Sequence, residues 1–69
     1  MRALALLKDK LRNARRRAAL TQGELANKSG VGITTITRIE SGHITEPRVS
    51  TLRKLATALD LEARDLLDD

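Results

Sequence analysis

The sequence predicts an all-α fold of five short helices around one aliphatic core. Three observations predict it. The chain contains no Phe, Tyr, Trp or Cys. Its core must therefore come from Leu, Ile, Val and Ala, which favours several small helices over a sheet needing aromatic as well as β-branched faces, and no disulfide or thiolate metal site can staple it. Its apolar residues recur at three- and four-residue steps, the period of amphipathic helices. Glycines, one proline and a Thr-x-x-Glu signal punctuate these stretches where helices should start and stop. At 69 residues the chain has room for one domain. A domain this small buries only about 60% of its unfolded surface, so its stability is expected to be marginal.

Leu4, Leu7, Leu11, Ala14 and Ala18 form the stripe of a first helix, expected to end near Ala19. Thr21 with Glu24 makes a capping box for a second helix, from Gln22 to about Ser29, with Leu25 and Ala26 facing inward. Gly30 suits the left-handed position just past that helix. Val31 plugs the angle between helices, and Gly32 serves as N-cap of a third helix running from Ile33 to about Ser41. Ile36 and Ile39 are its core residues, and Gly42 closes it. Pro47 bars helix until Arg48. Val49, Leu52, Leu55, Ala56 and Leu59 mark a fourth helix, and Leu61, Leu66 and Leu67 a short fifth one. Asp60 stands where a helix-ending glycine is usual, which Asp tolerates at some cost.

Two glycines within three residues, in "NKSGVGITT", permit the short turn that sets one helix steeply across another. That is the arrangement of a helix-turn-helix, whose second helix is built to lie in a major groove. An ordinary corner between helices has the same spacing. Charge adds a direction. Residues 1–20 carry seven basic side chains against Asp9 alone, whereas residues 60–69 have a net charge of −4. One end should attract polyanions and the other repel them. Alternatively, Arg15–Arg17 is a solvated helix end whose cations suit the macrodipole. The longest apolar stretch, Ala3 to Leu7, is too short to span a bilayer or form a signal-peptide core, so a cytoplasmic protein is expected.

The stretch "TQGELANKSGVGITTITRIESG" resembles the helix-turn-helix of the Cro/C1 (Xre) type found in lambdoid phage repressors. The Thr-Gln, Glu-Leu-Ala, Gly-Val, Thr-Ile and Ile-Glu-x-Gly elements of that family stand in register, and "PRVSTLRKLATALDLEARDLL" resembles its fourth and fifth helices. The similarity covers about residues 8–67, with the helix-turn-helix at about 21–41. It implies a single lambda-repressor-like DNA-binding domain of five helices over residues 1–69. By the same resemblance, Gln22 holds a backbone phosphate, and Ile33, Thr34, Thr37 and Arg38 meet base edges. Thr35 lies nearer the phosphates, Arg48 beside the backbone or minor groove, and an Arg15–Glu40 pair ties the first helix to the third. Three features depart from the family pattern. Ile33 replaces a commoner polar residue, Gly32 replaces a Ser cap, and the 43–48 loop varies in length among relatives.

The side-chain chemistry agrees with these roles. Arg reads guanine with two hydrogen bonds, Thr donates or accepts, and an exposed Ile can cover a thymine methyl. A helix N-terminus already favours phosphate, and the Gln22 amide adds a donor. Lys28 joins Arg38 and Arg48 as a cation for the phosphates. Other readings stay open at this stage. Thr35 and Thr37 can be merely solvent-facing, Arg38 can meet a phosphate, and Ile33 can pack on its own helix or on a protein partner.

No catalytic constellation stands out. His43 is the only histidine and lies in a loop without ligand-spaced partners, so a phosphate contact or solvation is expected rather than metal binding. Neither a phosphate-binding glycine loop nor a nucleophile motif occurs, and no enzyme activity, metal or cofactor is expected. The leading reading is a sequence-specific regulator binding double-stranded DNA, of the kind seen in repressors. The alternative is a protein-interaction module, such as an antitoxin or transcription-factor-binding domain, that touches DNA weakly. Membrane-surface binding by the basic first helix would need bulkier apolar residues. One helix reads too few base pairs to find a genomic site, so a homodimer on a pseudo-palindrome is expected. Leu61, Leu66, Leu67 and the end of the fourth helix are the expected dimer contact, a small one amid acidic residues.

Overall fold

The computed structural model describes residues 6–67, and Leu4 of the expected first stripe lies outside them. Among the described residues, four α-helices follow one another: α1 (Leu7–Arg17), α2 (Gln22–Ser29), α3 (Ile33–Glu40) and α4 (Val49–Ala58). A single 3-10 turn, Ala63–Leu66, replaces the expected fifth helix. Its bonds run from Asp65 N–H to Glu62 O (2.9 Å) and from Leu67 N–H to Arg64 O (3.0 Å), each spanning three residues. Four residues are too few to repay an α-helical nucleus, and burial of Leu66 holds the turn instead. None of the described helices is long and apolar enough to cross a membrane.

The core is aliphatic throughout. Leu11 and Ala14 of α1, Leu25 of α2, Ile36 and Ile39 of α3, and Leu52, Leu55, Ala56 and Ala58 of α4 meet around Val31, Leu59 and Leu66. α1 and α4 both pack against the C-terminal turn, α3 rests on α1 and α2, and α2 also touches α4. Two positions depart from the expected stripes and one from the expected dimer face. Ala18 is exposed because α1 has already ended at Arg17. Val49 is 60% exposed, since the first turn of α4 projects beyond the core. Leu66, expected on a dimer face, is 1% exposed and is a core residue.

Three helices end the same way. In α1, Ala19 N–H bonds to Arg16 O and Leu20 N–H reaches back to Arg15 O. In α3, Gly42 N–H bonds to Ile39 O and His43 N–H to Arg38 O; in α4, Asp60 N–H bonds to Thr57 O and Leu61 N–H to Ala56 O. This Schellman pairing satisfies the last carbonyls and needs one residue in the left-handed region. That residue is Ala19 (φ 58°), Gly42 (φ 88°) and Asp60 (φ 57°) respectively. Only Gly42 takes the conformation without steric cost.

Candidate nucleic-acid interface

The approach of α2 to α3 is set by local chemistry. The Thr21 hydroxyl accepts from Glu24 N–H (3.0 Å) while Thr21 N–H donates to Glu24 Oε1 (2.8 Å), completing the capping box that starts α2. Gly30 ends α2 at φ 77°. Val31 then turns into the core, its N–H donating to Ser29 Oγ at 3.1 Å, and Gly32 starts α3 without any side-chain cap.

On its inner face α3 carries a polar lock. Arg15 grips Glu40 with two bonds, Nε to Oε2 at 2.7 Å and Nη2 to Oε1 at 2.8 Å, and donates through Nη1 to Leu20 O at 2.9 Å. Gln22 Nε2 donates to the same Glu40 Oε1 at 3.2 Å. The Thr37 hydroxyl donates to Ile33 O at 2.9 Å and lies 3.4 Å from Gln22 Oε1. The network thus runs from α1 through Glu40 and Gln22 to the edge of the outer face. Burial pushes the Glu40 carboxyl up, but hydrogen bonds from Arg15 and Gln22, with the charges of Arg15 and Arg12, outweigh it and hold the carboxyl below its ordinary value. The hydrogen bond to Glu40 in turn raises the Arg15 guanidinium against its own desolvation. The expected Arg15–Glu40 tie is present, and part of the N-terminal charge is therefore structural. Arg12 is likewise paired, with Asp9 at 2.6 Å.

The outer face of α3 is open. Thr34, Thr37 and Arg38 are exposed, Thr35 is half-buried, and Ile33 is 50% exposed. Ile33 does two things at once. Its Cδ1 leans over α2 to within 3.8 Å of where a Cβ on Gly23 would stand, while half of the residue remains exposed to water. Thr35 and Arg48 are brought together, lining one depression with Ile44, Glu46, Pro47 and Thr51. Lys28 is not part of this group: it lines a separate hollow with Ser29, Arg53, Lys54, Thr57 and Ala58, between the end of α2 and α4. Leu67 (57% exposed) and the half-buried Leu61 are what is left of the expected dimer contact once Leu66 is assigned to the core. Sequence reasoning left His43 between a phosphate contact and solvation. The structure sets it in a hollow with Thr37, Arg38, Ser41 and Ile44, its Nδ1 2.9 Å from Ser41 Oγ. A serine two residues before a histidine, just past a helix end, was the available signal.

A short helix crossed by a second helix through a glycine turn, with its outer face free and its inner face locked to α1, defines a helix-turn-helix domain. The family model described as helix-turn-helix matches residues 11–66, and the chain belongs to this family, in its Cro/C1-type branch. Over 59 residues the chain is 39% identical to RghR, an HTH-type transcriptional repressor of Bacillus subtilis (strain 168), a match covering 86% of this chain and 44% of RghR. The chain thus spans less than half of that relative. Among solved structures it is similar to SinR of Bacillus subtilis, the master regulator for biofilm formation, solved in complex with DNA. That likeness has a TM-score of 0.88 at 28% identity and covers 91% of this chain and 100% of the other. It is also similar to the restriction-modification controller protein C.AhdI of Aeromonas hydrophila, with a TM-score of 0.81 at 35% identity, covering 87% and 89% of the two chains.

Proposed function

We propose that this chain is the DNA-binding domain of a cytoplasmic, repressor-like transcriptional regulator, and that α3 lies in the major groove of double-stranded DNA. One observation carries the reading: the outer face of α3 leaves Ile33, Thr34, Thr37 and Arg38 exposed beside a framework that fixes the helix through Glu40. An aliphatic side chain, two hydroxyls and a guanidinium on one helix face match the methyl, donor and acceptor pattern of base edges. Around them Gln22, Thr35 and Arg48 supply the backbone contacts that fix register. Gln22 is suited to this because Glu40 already holds one of its amide hydrogens and leaves the other free. The DNA complex of SinR and the description of RghR as a repressor support the reading.

Selection from a library of randomised duplexes tests it. A single enriched motif is the expected result; retention without a motif would favour a protein-interaction module that binds DNA only through charge. The domain works as a two-fold dimer on a pseudo-palindrome, joined weakly through Leu61, Leu67 and the end of α4. Two recognition helices must then meet half-sites about 34 Å apart, one turn of DNA. Inserting five base pairs between the half-sites rotates one by about half a turn. Affinity should collapse toward that of a single half-site, and undiminished binding would refute the dimer.

A further inference from the structure

The loop leaving α3 folds back onto a single carbonyl. His43 N–H (2.9 Å), Ile44 N–H (3.1 Å) and the Ser41 hydroxyl (3.1 Å) all donate to Arg38 O. The same Ser41 Oγ lies 2.9 Å from His43 Nδ1. A serine hydroxyl owns one proton. Arg38 O already accepts two N–H groups, so the hydroxyl can turn either way; turned to Arg38 O, it leaves Nδ1 to carry the hydrogen and donate it. Nε2 of the neutral ring is then a bare lone pair, and only the imidazolium presents an N–H there.

His43 is exposed, and the hollow it lines is shared with Thr37 and Arg38 of the recognition face. The charged groups around it are mostly cations. Arg38 lines the same hollow, and Lys8 of α1 brings its stem to 3.5 Å from where a Cβ on Gly42 would stand. Arg48, with the carboxylate of Glu46, lines the adjoining depression on the other side of Ile44. No carboxylate lines the His43 hollow among the described residues. The position also follows the C-terminal end of α3, where the helix dipole favours a cation. A group placed here that can become a donor only by gaining charge is matched to an anion.

We propose that His43 is a further DNA-backbone contact and that it engages phosphate only as the imidazolium, because Ser41 fixes its tautomer. The proposal rests on the DNA-binding reading above. Docking then draws a proton onto each engaged ring, so affinity is highest at low pH and falls as pH rises.

The experiment measures Kd on the duplex recovered by selection, at fixed salt, between about pH 5.5 and 8, for the wild type, His43→Gln and Ser41→Ala. The wild type should lose up to about tenfold in affinity per pH unit for each engaged domain across that range. His43→Gln should show no such slope. Ser41→Ala releases the ring to carry its proton on Nε2, so a neutral His43 can donate to phosphate. Its slope should shrink, and its affinity near pH 8 should exceed that of the wild type. Nitrogen-15 shifts of the imidazole in the DNA-free protein read the tautomer directly, with Nδ1–H expected in the wild type. Equal slopes in the wild type and His43→Gln, or a ring protonated mainly on Nε2 in the free wild type, would overturn the proposal. Failure of the DNA-binding reading looks different: no duplex is retained at any pH, and both proposals fall together.

Discussion

Toward the core, α3 presents Ile36, Ile39 and Glu40, and no buried side-chain polar atom among the described residues lacks a hydrogen-bond partner. Away from the core, Thr34 and Arg38 make no side-chain hydrogen bond or ion pair among the described residues, and Ile33 stands half in water. The two faces belong to one helix of eight residues. Their difference shows how so short a helix can be both rigid and available. The inner face uses its one charge to fix the helix to α1, whereas Thr34 and Arg38 on the outer face make no side-chain bond among the described residues that holds the fold. Variants of α3 should therefore divide sharply between those that unfold the domain and those that only weaken recognition.

The largest effect should come from Glu40. Removing it leaves Arg15 mostly buried and unpaired, and takes an acceptor from Gln22. Breaking one side of a buried pair costs about 3–5 kcal/mol, against about 0–1 kcal/mol for a surface pair. Glu40→Ala should lose the larger amount in urea denaturation, a serious fraction of the roughly 5–15 kcal/mol that holds a domain together. A loss below about 1 kcal/mol would move the pair to the solvated surface and erase the contrast between faces. Acid sharpens the same point. The Glu40 carboxyl is held below its ordinary value in the folded state. Its contribution is therefore complete above the unfolded value, about 4.3, and is lost as pH falls through the lower folded value. Glu40→Gln should remove that acid-dependent limb while lowering stability at neutral pH.

Arg38 should behave oppositely. Its carbonyl anchors the following loop, but its guanidinium makes no bond among the described residues, so Arg38→Ala should leave stability within about 0.5 kcal/mol. Binding should weaken by about 1–3 kcal/mol, with specificity relaxed at one base pair if the contact is to guanine. A loss spread evenly over all sequences would assign Arg38 to a phosphate. Any large fall in thermal stability would show that the outer face also supports the fold.

These faces were unequally legible in the sequence. The inner apolar positions followed from period alone, because Ile36 and Ile39 sit one turn apart and both are buried. The capping box and Gly30 were equally plain, since Thr, Glu and Gly carry their backbone roles in their own chemistry. What periodicity could not give was depth at the ends of helices. Val49 fits the α4 stripe yet protrudes, whereas Leu66 looks like a surface leucine of an acidic tail and is nearly inaccessible. Ala19 hides its left-handed turn because alanine advertises helix. The link from Gln22 to Glu40 joins residues 18 apart and leaves no mark in the spacing, whereas Ser41 and His43 are close in sequence but meet only because of how the loop closes.

Ile33 tests whether the outer face is pure. Half of it rests above Gly23, so Ile33→Ala should cost a little stability as well as binding. On an operator with thymine at the contacted step, the binding loss should be about 1 kcal/mol, the lower end of a mismatch. With uracil in that position the methyl is gone and the loss should vanish. Equal losses on both operators would make Ile33 a packing residue of the turn and transfer it to the inner face.

The smallest effect should come from Gly32, where the two faces meet at the start of α3. Its backbone is extended (φ −61°, ψ 141°), as an N-cap requires, and α3 has no side-chain cap. A Cβ there would meet nothing within 4 Å. Serine can therefore enter without strain and offer its hydroxyl oxygen to the first free N–H groups of the helix. Because glycine is itself a tolerable N-cap, Gly32→Ser should gain only a few tenths of a kcal/mol. Differential scanning calorimetry with the selected duplex present and absent separates the outcomes. A small rise in Tm in the free domain, with affinity for the duplex unchanged, would mean that the first turn of α3 is tuned for folding alone. A stability gain matched by weaker binding would mean that those N–H groups face a phosphate and that the missing cap belongs to the recognition surface.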